Sequence, residues 1–183
     1  MMLRYTDEDF LEPRGNFESL MHRIQSPALR AIAQHWHEAR GDNRIPSWTD
    51  LSSSALSPYS KMLWGFQYDP KAGEFRGWLA GDKLRKWVDD DFRGGLLQDL
   101  APGLSYEPVK VYLTRIMQGP LAFRCSGRLF EVDGFVVTGE RIALPLAEDR
   151  KSGDVIFGAS DYVAPPLLGP VKLVHENLEW YEI

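Results

Sequence analysis

The sequence predicts an α+β domain in which one five-stranded antiparallel sheet carries helices between its second and third strands. Three observations lead to this fold class. An amphipathic helix pattern flanks the N-terminal side, a strand pair follows at 61–81, and three further strand patterns appear only after residue 120. Because the stretch between the two strand groups has helical patterns, both groups are expected to join one sheet.

The composition indicates a single domain with a substantial core. The 183 residues are 44% hydrophobic and carry a formal net charge of −5. No basic face is visible, which argues against nucleic acid as a partner. The lone Cys125 excludes an internal disulfide and fits a reducing, cytoplasmic compartment. The first residues lack the apolar segment of a signal peptide, and no apolar run approaches the roughly 18 residues of a membrane span.

The first strong helix is predicted to begin at Ser26-Pro27. Serine is a typical N-cap, and proline suits the first helical position. One apolar stripe then repeats at helical spacing, formed by Leu29, Ile32, Ala33 and Trp36. The pattern ends at Gly41, which is typical of a helix C-terminus.

His35 and His37 flank Trp36 in this helix. Successive helical residues are about 100° apart, so the two imidazoles point about 200° apart around the axis. Ligand pairs on a helix need a spacing of three or four residues. We therefore interpret the pair as the polar edges of a buried tryptophan and not as a metal site.

The central part of the chain combines a hairpin with helices. Strands are predicted at 61–69 and 74–81 around an Asp-Pro-Lys-Ala-Gly turn. A helix beginning at Asp82 follows. A longer helix is predicted over 106–118, where Pro108 is tolerated because it lies in the first turn.

Three strands follow the central helices. An Asp-Gly pair at 133–134 predicts a tight turn between antiparallel strands at 120–131 and 135–146, and a third strand is predicted at 154–163. The last residues are amphipathic and fit either a strand or a helix. The chain thus divides into an N-terminal extension, a domain and a tail: 1–27, 28–164 and 165–183.

Five short segments have a distinctive order. They are a helix end with tryptophan and Arg-Gly, a proline followed by an acidic residue, a strand closing on glycine, an ALPLAED segment and a final strand. In this chain they occupy Ala33–Gly41, Pro46 with Asp50, Phe75–Gly81, Ala143–Asp149 and Val155–Tyr162. Together they resemble a family of bacterial single-domain PAS-like proteins, over roughly residues 28–163.

The resemblance implies a cup, in which the sheet faces helices across a cavity. It also implies a non-enzymatic sensory or regulatory module that acts through protein contacts and is gated by a small ligand. Signalling proteins such as histidine kinases, or a second copy in a homodimer, are the partners that the family suggests. A structural adaptor with a filled cavity is the alternative within the same fold.

Pocket residues are expected among the side chains that would wall the cup. These candidates are Trp78, Leu84, Trp87, Val88, Phe92, Tyr112, Phe123 and Cys125. An aromatic lining suits a small apolar ligand, and the alternative is that the same rings fill the core. Alternation places Arg124 and Arg128 on the other face of their strand from Phe123, which argues against an acidic ligand.

The N-terminal extension carries a second candidate site. Its apolar residues exceed what one cup is expected to bury, and such a strip commonly marks a protein interface. The interface candidates are Phe17, Leu20, Met21 and Ile24. The alternative is that Trp180 and Tyr181 cover this segment within the same chain.

No catalytic or cofactor motif stands out. The sequence has no GxSxG, HExxH or P-loop pattern, and we expect no metal site. Cys125 lies in a predicted strand, which disfavours a flavin adduct. No histidine occurs between residues 38 and 174, which disfavours a histidine-ligated haem inside the cup. The rival function is a small cone-shaped isomerase or cyclase with acid–base residues among Asp82, Tyr112 and Glu140.

Overall fold

A computed structural model describes residues 12–85, 90–100, 106–164, 169 and 171–183. Its strands are β1 (Leu63–Asp69), β2 (Glu74–Ala80), β3 (Leu121–Val132), β4 (Phe135–Leu146), β5 (Val155–Tyr162), β6 (Val171–Leu173) and β7 (Glu179–Glu182). Across the described residues they form one antiparallel sheet in the order β2-β1-β5-β4-β3-β6, with β7 also pairing with β3. The fold is α+β, as the sequence predicts.

Helices cover both faces of this sheet. They are α1 (Phe17–Arg23), α2 (Pro27–Arg40), α3 (Ser53–Leu56), α4 (Asp82–Arg85), α5 (Leu97–Leu100) and α6 (Tyr106–Gln118), with 3₁₀ turns at Trp48–Asp50, Ser57–Met62 and Asp90–Phe92. The last three helices come between β2 and β3 in the chain. The sequence prediction of a helix from Asp82 extends over residues 86–89, which lie outside the described residues, so only its first turn can be compared with α4.

Each face of the sheet has its own hydrophobic cluster, because neighbouring residues of a strand point to opposite sides. We call the face with Phe123 and Ala143 the cup face; α5 and α6 pack against it. We call the face with Ile142 and Leu144 the N-terminal face; α1 and α2 pack there. The cup and the N-terminal helices are therefore separated by a single sheet.

The α2 helix has the predicted ends. The Ser26 hydroxyl accepts the Leu29 N–H at 3.2 Å, and Gly41 is the C-cap. The apolar stripe is buried, and the Trp36 indole donates to the Pro145 carbonyl at 2.9 Å. This bond ties the helix to the end of β4.

The two helical histidines point to different partners. His35 accepts the Ser52 N–H at 2.9 Å, whereas the His37 ring stacks on Phe17 with centroids 4.7 Å apart. They flank the buried Trp36 as polar edges and do not converge on one point.

The tail extends the sheet beyond the five predicted strands, to seven within the described residues. Val171 pairs with Val132, and Glu182 pairs with Leu121. The sequence prediction of five strands missed β6 and β7 because both are short. Their pairing is favourable because β3 would otherwise present unpaired N–H and C=O groups at a sheet edge.

Candidate functional site: a cavity in the cup

A cavity of about 700 Å³ lies between the cup face of the sheet and α4, α5 and α6. Its apolar wall includes Trp64, Phe66, Leu84, Leu97, Val109, Tyr112, Leu113, Ile116, Phe123, Phe130, Ala143 and Tyr162. A volume of several hundred Å³ with a mostly apolar wall is typical of small-molecule sites. The arrangement can enclose a small organic molecule.

Four of the predicted pocket residues line this cavity. They are Leu84, Phe92, Tyr112 and Phe123. The Tyr112 and Phe123 rings stack with centroids 5.5 Å apart. Trp87 and Val88 lie outside the described residues.

Cys125 is buried on the cup face beneath the wall and is not part of the lining. Burial raises the pKa of the Cys125 thiol to about 11, so the thiol stays protonated at neutral pH. It behaves as a small hydrophobic side chain.

Trp78 does not line the cavity, contrary to the sequence prediction. It packs with the N-terminal face, where its ring meets Trp48 edge-on with centroids 4.6 Å apart. Trp78 faces away from the cup because the residue before it, Gly77, occupies the cup face. Gly77 faces the cup, and the Phe92 ring occupies the space that a Cβ at Gly77 would need. Strand alternation then directs Trp78 to the other side.

Three polar side chains of the wall lie together and form its polar group: Arg141, Ser160 and His175. Lys83, Asp91 and Asp99 also line the cavity. Arg141 is only 6% exposed, and its Nε donates to Ser160 Oγ at 2.9 Å. The Trp64 indole N–H donates to the same oxygen at 3.0 Å. The Arg141 guanidinium also lies 3.5 Å from His175 Nε2 and 5.0 Å from the centre of the Phe130 ring.

Burial sets the charge state of this polar group. Burial, and then the charge of Arg141, lower the pKa of His175 well below its ordinary value, so the imidazole is neutral at pH 7. Burial also lowers the pKa of Arg141, but a guanidinium starts so high that it remains charged. The wall therefore carries a buried cation beside a neutral histidine.

Sequence reasoning missed Arg141 because it considered no basic side chain of β4. Regular alternation along β4 places Arg141 on the same face as Val137 and Ala143, which belong to the cup cluster. The bulge in β3, between Arg128 and Phe130, changes which residues of β3 face the cup and leaves the faces of β4 unchanged. Alternation along β4 is therefore the signal that could have found Arg141.

His175 lies on the cavity wall although sequence reasoning placed all four histidines outside the cup. Its ring contacts Tyr112 edge-on, with centroids 4.7 Å apart. The prediction was wrong because the tail folds back along β3. The sequence argument against a histidine-ligated haem, which rested on the absence of histidine between residues 38 and 174, does not cover His175, because His175 lines the cavity.

On the N-terminal face, Arg124 is buried between two carboxylates. It donates to Glu140 and to Glu179, both at 2.6 Å. Arg23 also binds Glu179, at 2.7 Å. Arg124 therefore points away from the cup, as alternation predicts, and Arg128 forms an exposed pair with Glu176.

The interface candidates are buried within the chain. Phe17, Leu20 and Ile24 are buried in the cluster under α1, and Met21 packs against it half-buried. Tyr181 belongs to the same cluster. The expectation that one domain cannot bury this strip was wrong, because the N-terminal face supplies a second core.

The acid–base candidates of the rival enzyme are not brought together. Tyr112 lines the cavity, Asp82 is exposed at the start of α4, and Glu140 lies on the N-terminal face. Among the described residues, no group of three histidine, cysteine or acidic side chains could hold a metal ion.

The sheet and the helices packed on its cup face form a cup around the cavity. The family model described as PAS domain matches residues 24–160, and the chain belongs to this family. No curated protein and no solved structure matches the chain. In the part of the chain that the structure describes, no helix is long and apolar enough to cross a membrane. Membership in the PAS family indicates a sensory or regulatory module.

Proposed function

We propose that this chain is a non-enzymatic regulatory PAS domain that is gated by a small ligand and acts through protein contacts. The observation that carries the proposal is the cavity of about 700 Å³, whose wall is mostly apolar and aromatic and includes the polar group of Arg141, Ser160 and His175. A core that served packing alone would gain stability by filling this space.

A path from the cavity to the N-terminal helices supports the gating. Arg141 and Ser160, which meet at the cavity wall, are cross-strand partners of β4 and β5. The next cross-strand pair is Glu140 and Asp161. These two residues point to the other face because side chains alternate along a strand.

Glu140 and Asp161 hold the junction between α1 and α2. The Glu140 carboxylate accepts the N–H of Gln25 at 3.1 Å and that of Ser26 at 2.7 Å. The Ser26 hydroxyl donates to Asp161 at 2.7 Å. A ligand that binds Arg141 and Ser160 would therefore stiffen the strand pairing from which Glu140 and Asp161 hold both helices.

The output is a change in the surface that α1 and α2 present. A ligand that prefers one arrangement of this junction shifts the population toward it. The partner is a signalling protein, for which the family suggests histidine kinases, or a second copy of the chain. A structural adaptor would have the same fold with a cavity that accepts no ligand.

The cavity can be tested with the neutral dye N-phenyl-1-naphthylamine, whose fluorescence rises in an apolar site. We expect saturable binding by the wild type. Ala143→Leu adds volume to the cavity wall and should weaken this binding at least about tenfold. Thr138→Leu places the same side chain at an exposed position of β4 and should not weaken it. Absence of saturable binding to the wild type would refute ligand gating and favour the adaptor.

A further inference from the structure

We infer that the ligand of this cavity is an organic anion, with an apolar body and one carboxylate or similar acidic group that pairs with Arg141. This inference rests on the proposed function, since it assigns the chemical class of the molecule that the cavity takes. It also reverses the sequence expectation of a purely apolar ligand.

Arg141 is a buried cation without a described counter-charge. Among the described residues, no carboxylate oxygen lies within 4.0 Å of its guanidinium. Its polar partners there are the neutral Ser160 and His175. A buried charge is costly unless it is paired, and Arg124, one strand away, is held between two carboxylates.

The guanidinium keeps hydrogen-bonding capacity for a ligand. Its Nε donates to Ser160, and one terminal nitrogen lies near His175. The other terminal nitrogen has no partner among the described residues, and Arg141 is part of the cavity wall. A carboxylate suits this planar fork of donors.

Ser160 supplies a second donor at the same place. A serine hydroxyl has two acceptor positions and one O–H. The Nε–H of Arg141 and the indole N–H of Trp64 occupy both acceptor positions. The O–H of Ser160 must therefore donate, and it has no acceptor among the described residues. One anionic oxygen could receive it while another binds Arg141.

The surroundings orient the rest of the ligand. Tyr112, Phe123 and Ala143 provide an apolar wall near the polar group. The wall also includes Lys83, a second cation, and two exposed carboxylates, Asp91 and Asp99. These acids would repel an anion held at the surface, which favours a ligand whose acidic group lies at the buried end.

The test compares two dyes with one skeleton. 8-Anilino-1-naphthalenesulfonate carries an anionic group, and N-phenyl-1-naphthylamine lacks it. We expect Arg141→Met to weaken binding of the anionic dye at least about tenfold, since charge-assisted hydrogen bonds of that order are lost. Binding of the neutral dye should change less than about twofold. Arg141→Lys should restore part of the anionic affinity, and Arg128→Met, an exposed control on β3, should change neither.

Folding is checked by the melting temperature of each variant without dye. Arg141→Met should be at least as stable as the wild type, because an apolar side chain replaces an uncompensated charge. A large loss of stability would instead mean that Arg141 has a structural role. Ser160→Ala provides a second test, since it removes one donor and should lower the affinity for the anionic dye only.

The results distinguish failure of the anionic-ligand inference from failure of the proposed ligand gating. If both dyes bind the wild type but Arg141→Met and Ser160→Ala affect them equally or not at all, the anionic ligand is refuted and ligand gating stands. If neither dye binds, both proposals fail.

Discussion

Two buried arginines on neighbouring strands differ in how their charge is balanced. Arg124 on β3 is 2% exposed and bridges Glu140 and Glu179 on the N-terminal face. Arg141 on β4 is 6% exposed and faces the cavity, with neutral polar partners in the described residues. We therefore assign a structural role to the first arginine, whereas the second is the residue that we propose binds a ligand.

Removal of the structural arginine should be costly. Arg124→Met leaves Glu140 buried without its cation, and we expect a loss of about 3–5 kcal/mol in the free energy of unfolding. Arg128→Met, on the same strand but in an exposed pair with Glu176, should cost less than about 1 kcal/mol. Urea denaturation of the three proteins measures both values. Similar costs for the two variants would contradict the assignment of Arg124 as a buried structural bridge.

His175 should make stability depend on pH. Burial lowers its pKa in the folded state, so below the ordinary value of about 6.5 the unfolded chain binds the additional proton. As the pH falls from about 6.5 toward the folded-state pKa, the wild type should lose up to about 1.4 kcal/mol per pH unit relative to His175→Gln.

Urea denaturation of both proteins at pH 7.5 and 5.5 measures this difference. Arg141, the charged group in contact with the ring among the described residues, stays protonated over this range. A stability difference that is the same at both pH values would show that the histidine titrates normally in the fold.

At the level of single residues, sequence patterns located the aromatic wall but not its polar group. Tyr112 could be predicted because it belongs to a regular helical stripe, and Phe123 because it alternates with Cys125. Arg141 was overlooked, although regular alternation with Val137 and Ala143 along β4 places it on the cup face. His175 could not be predicted, since its place depends on long-range pairing of the tail.

Among the elements, α1 is an integral part of the folded unit. It packs on the N-terminal face together with α2 and β7. The backbone joins them as well, since the Glu182 N–H donates to the Gly15 carbonyl at 2.8 Å. Residues 14–27 are therefore packed against the sheet as part of the domain.

The packing of α1 predicts that truncating one of its buried side chains lowers the free energy of unfolding substantially. Leu20→Ala should cost about 2–5 kcal/mol, because Leu20 is fully buried and truncation leaves a cavity. His22→Ala, at a position whose side chain is 80% exposed, should cost less than about 0.5 kcal/mol. Thermal or urea unfolding compares the two. A cost near zero for Leu20→Ala would restore the view of α1 as a detachable interface.

Strongly patterned elements were predictable nearly to the residue, and the tail was not. The sequence predicts a helix over 106–118 and a strand over 135–146, which match α6 and β4. Helical periodicity of the apolar residues predicts α6, and the Asp-Gly turn at 133–134 predicts where β4 begins. By contrast, β6 and β7 have three and four residues, too few for a pattern. They form because their backbones pair with the N–H and C=O groups along the edge of β3.

For the molecule as a whole, one sheet separates a ligand cavity from the helices that would transmit its state. Two adjacent cross-strand pairs connect the two sides: Arg141 with Ser160 toward the cavity, and Glu140 with Asp161 toward the N-terminal helices. The family indicates a sensory or regulatory module, and in the proposed function this pairing connects the cavity to the N-terminal helices. Binding at the first pair should therefore be measurable at the amides that the second pair holds.

The most direct measurement is amide hydrogen exchange at Gln25 and Ser26, followed by NMR with and without saturating 8-anilino-1-naphthalenesulfonate. Both amides donate to Glu140. The Ser47 amide is a matched control, because it donates to the Asp50 carboxylate outside the cavity wall. Arg141→Met is the control protein.

We predict that the dye slows exchange at Gln25 and Ser26 at least about threefold more than at Ser47 in the wild type, because ligation of Arg141 and Ser160 stiffens the pairing that holds the junction. The effect should be absent in Arg141→Met. Unchanged exchange at Gln25 and Ser26 in wild-type protein with a saturated cavity would contradict the coupling of the cavity to the N-terminal helices.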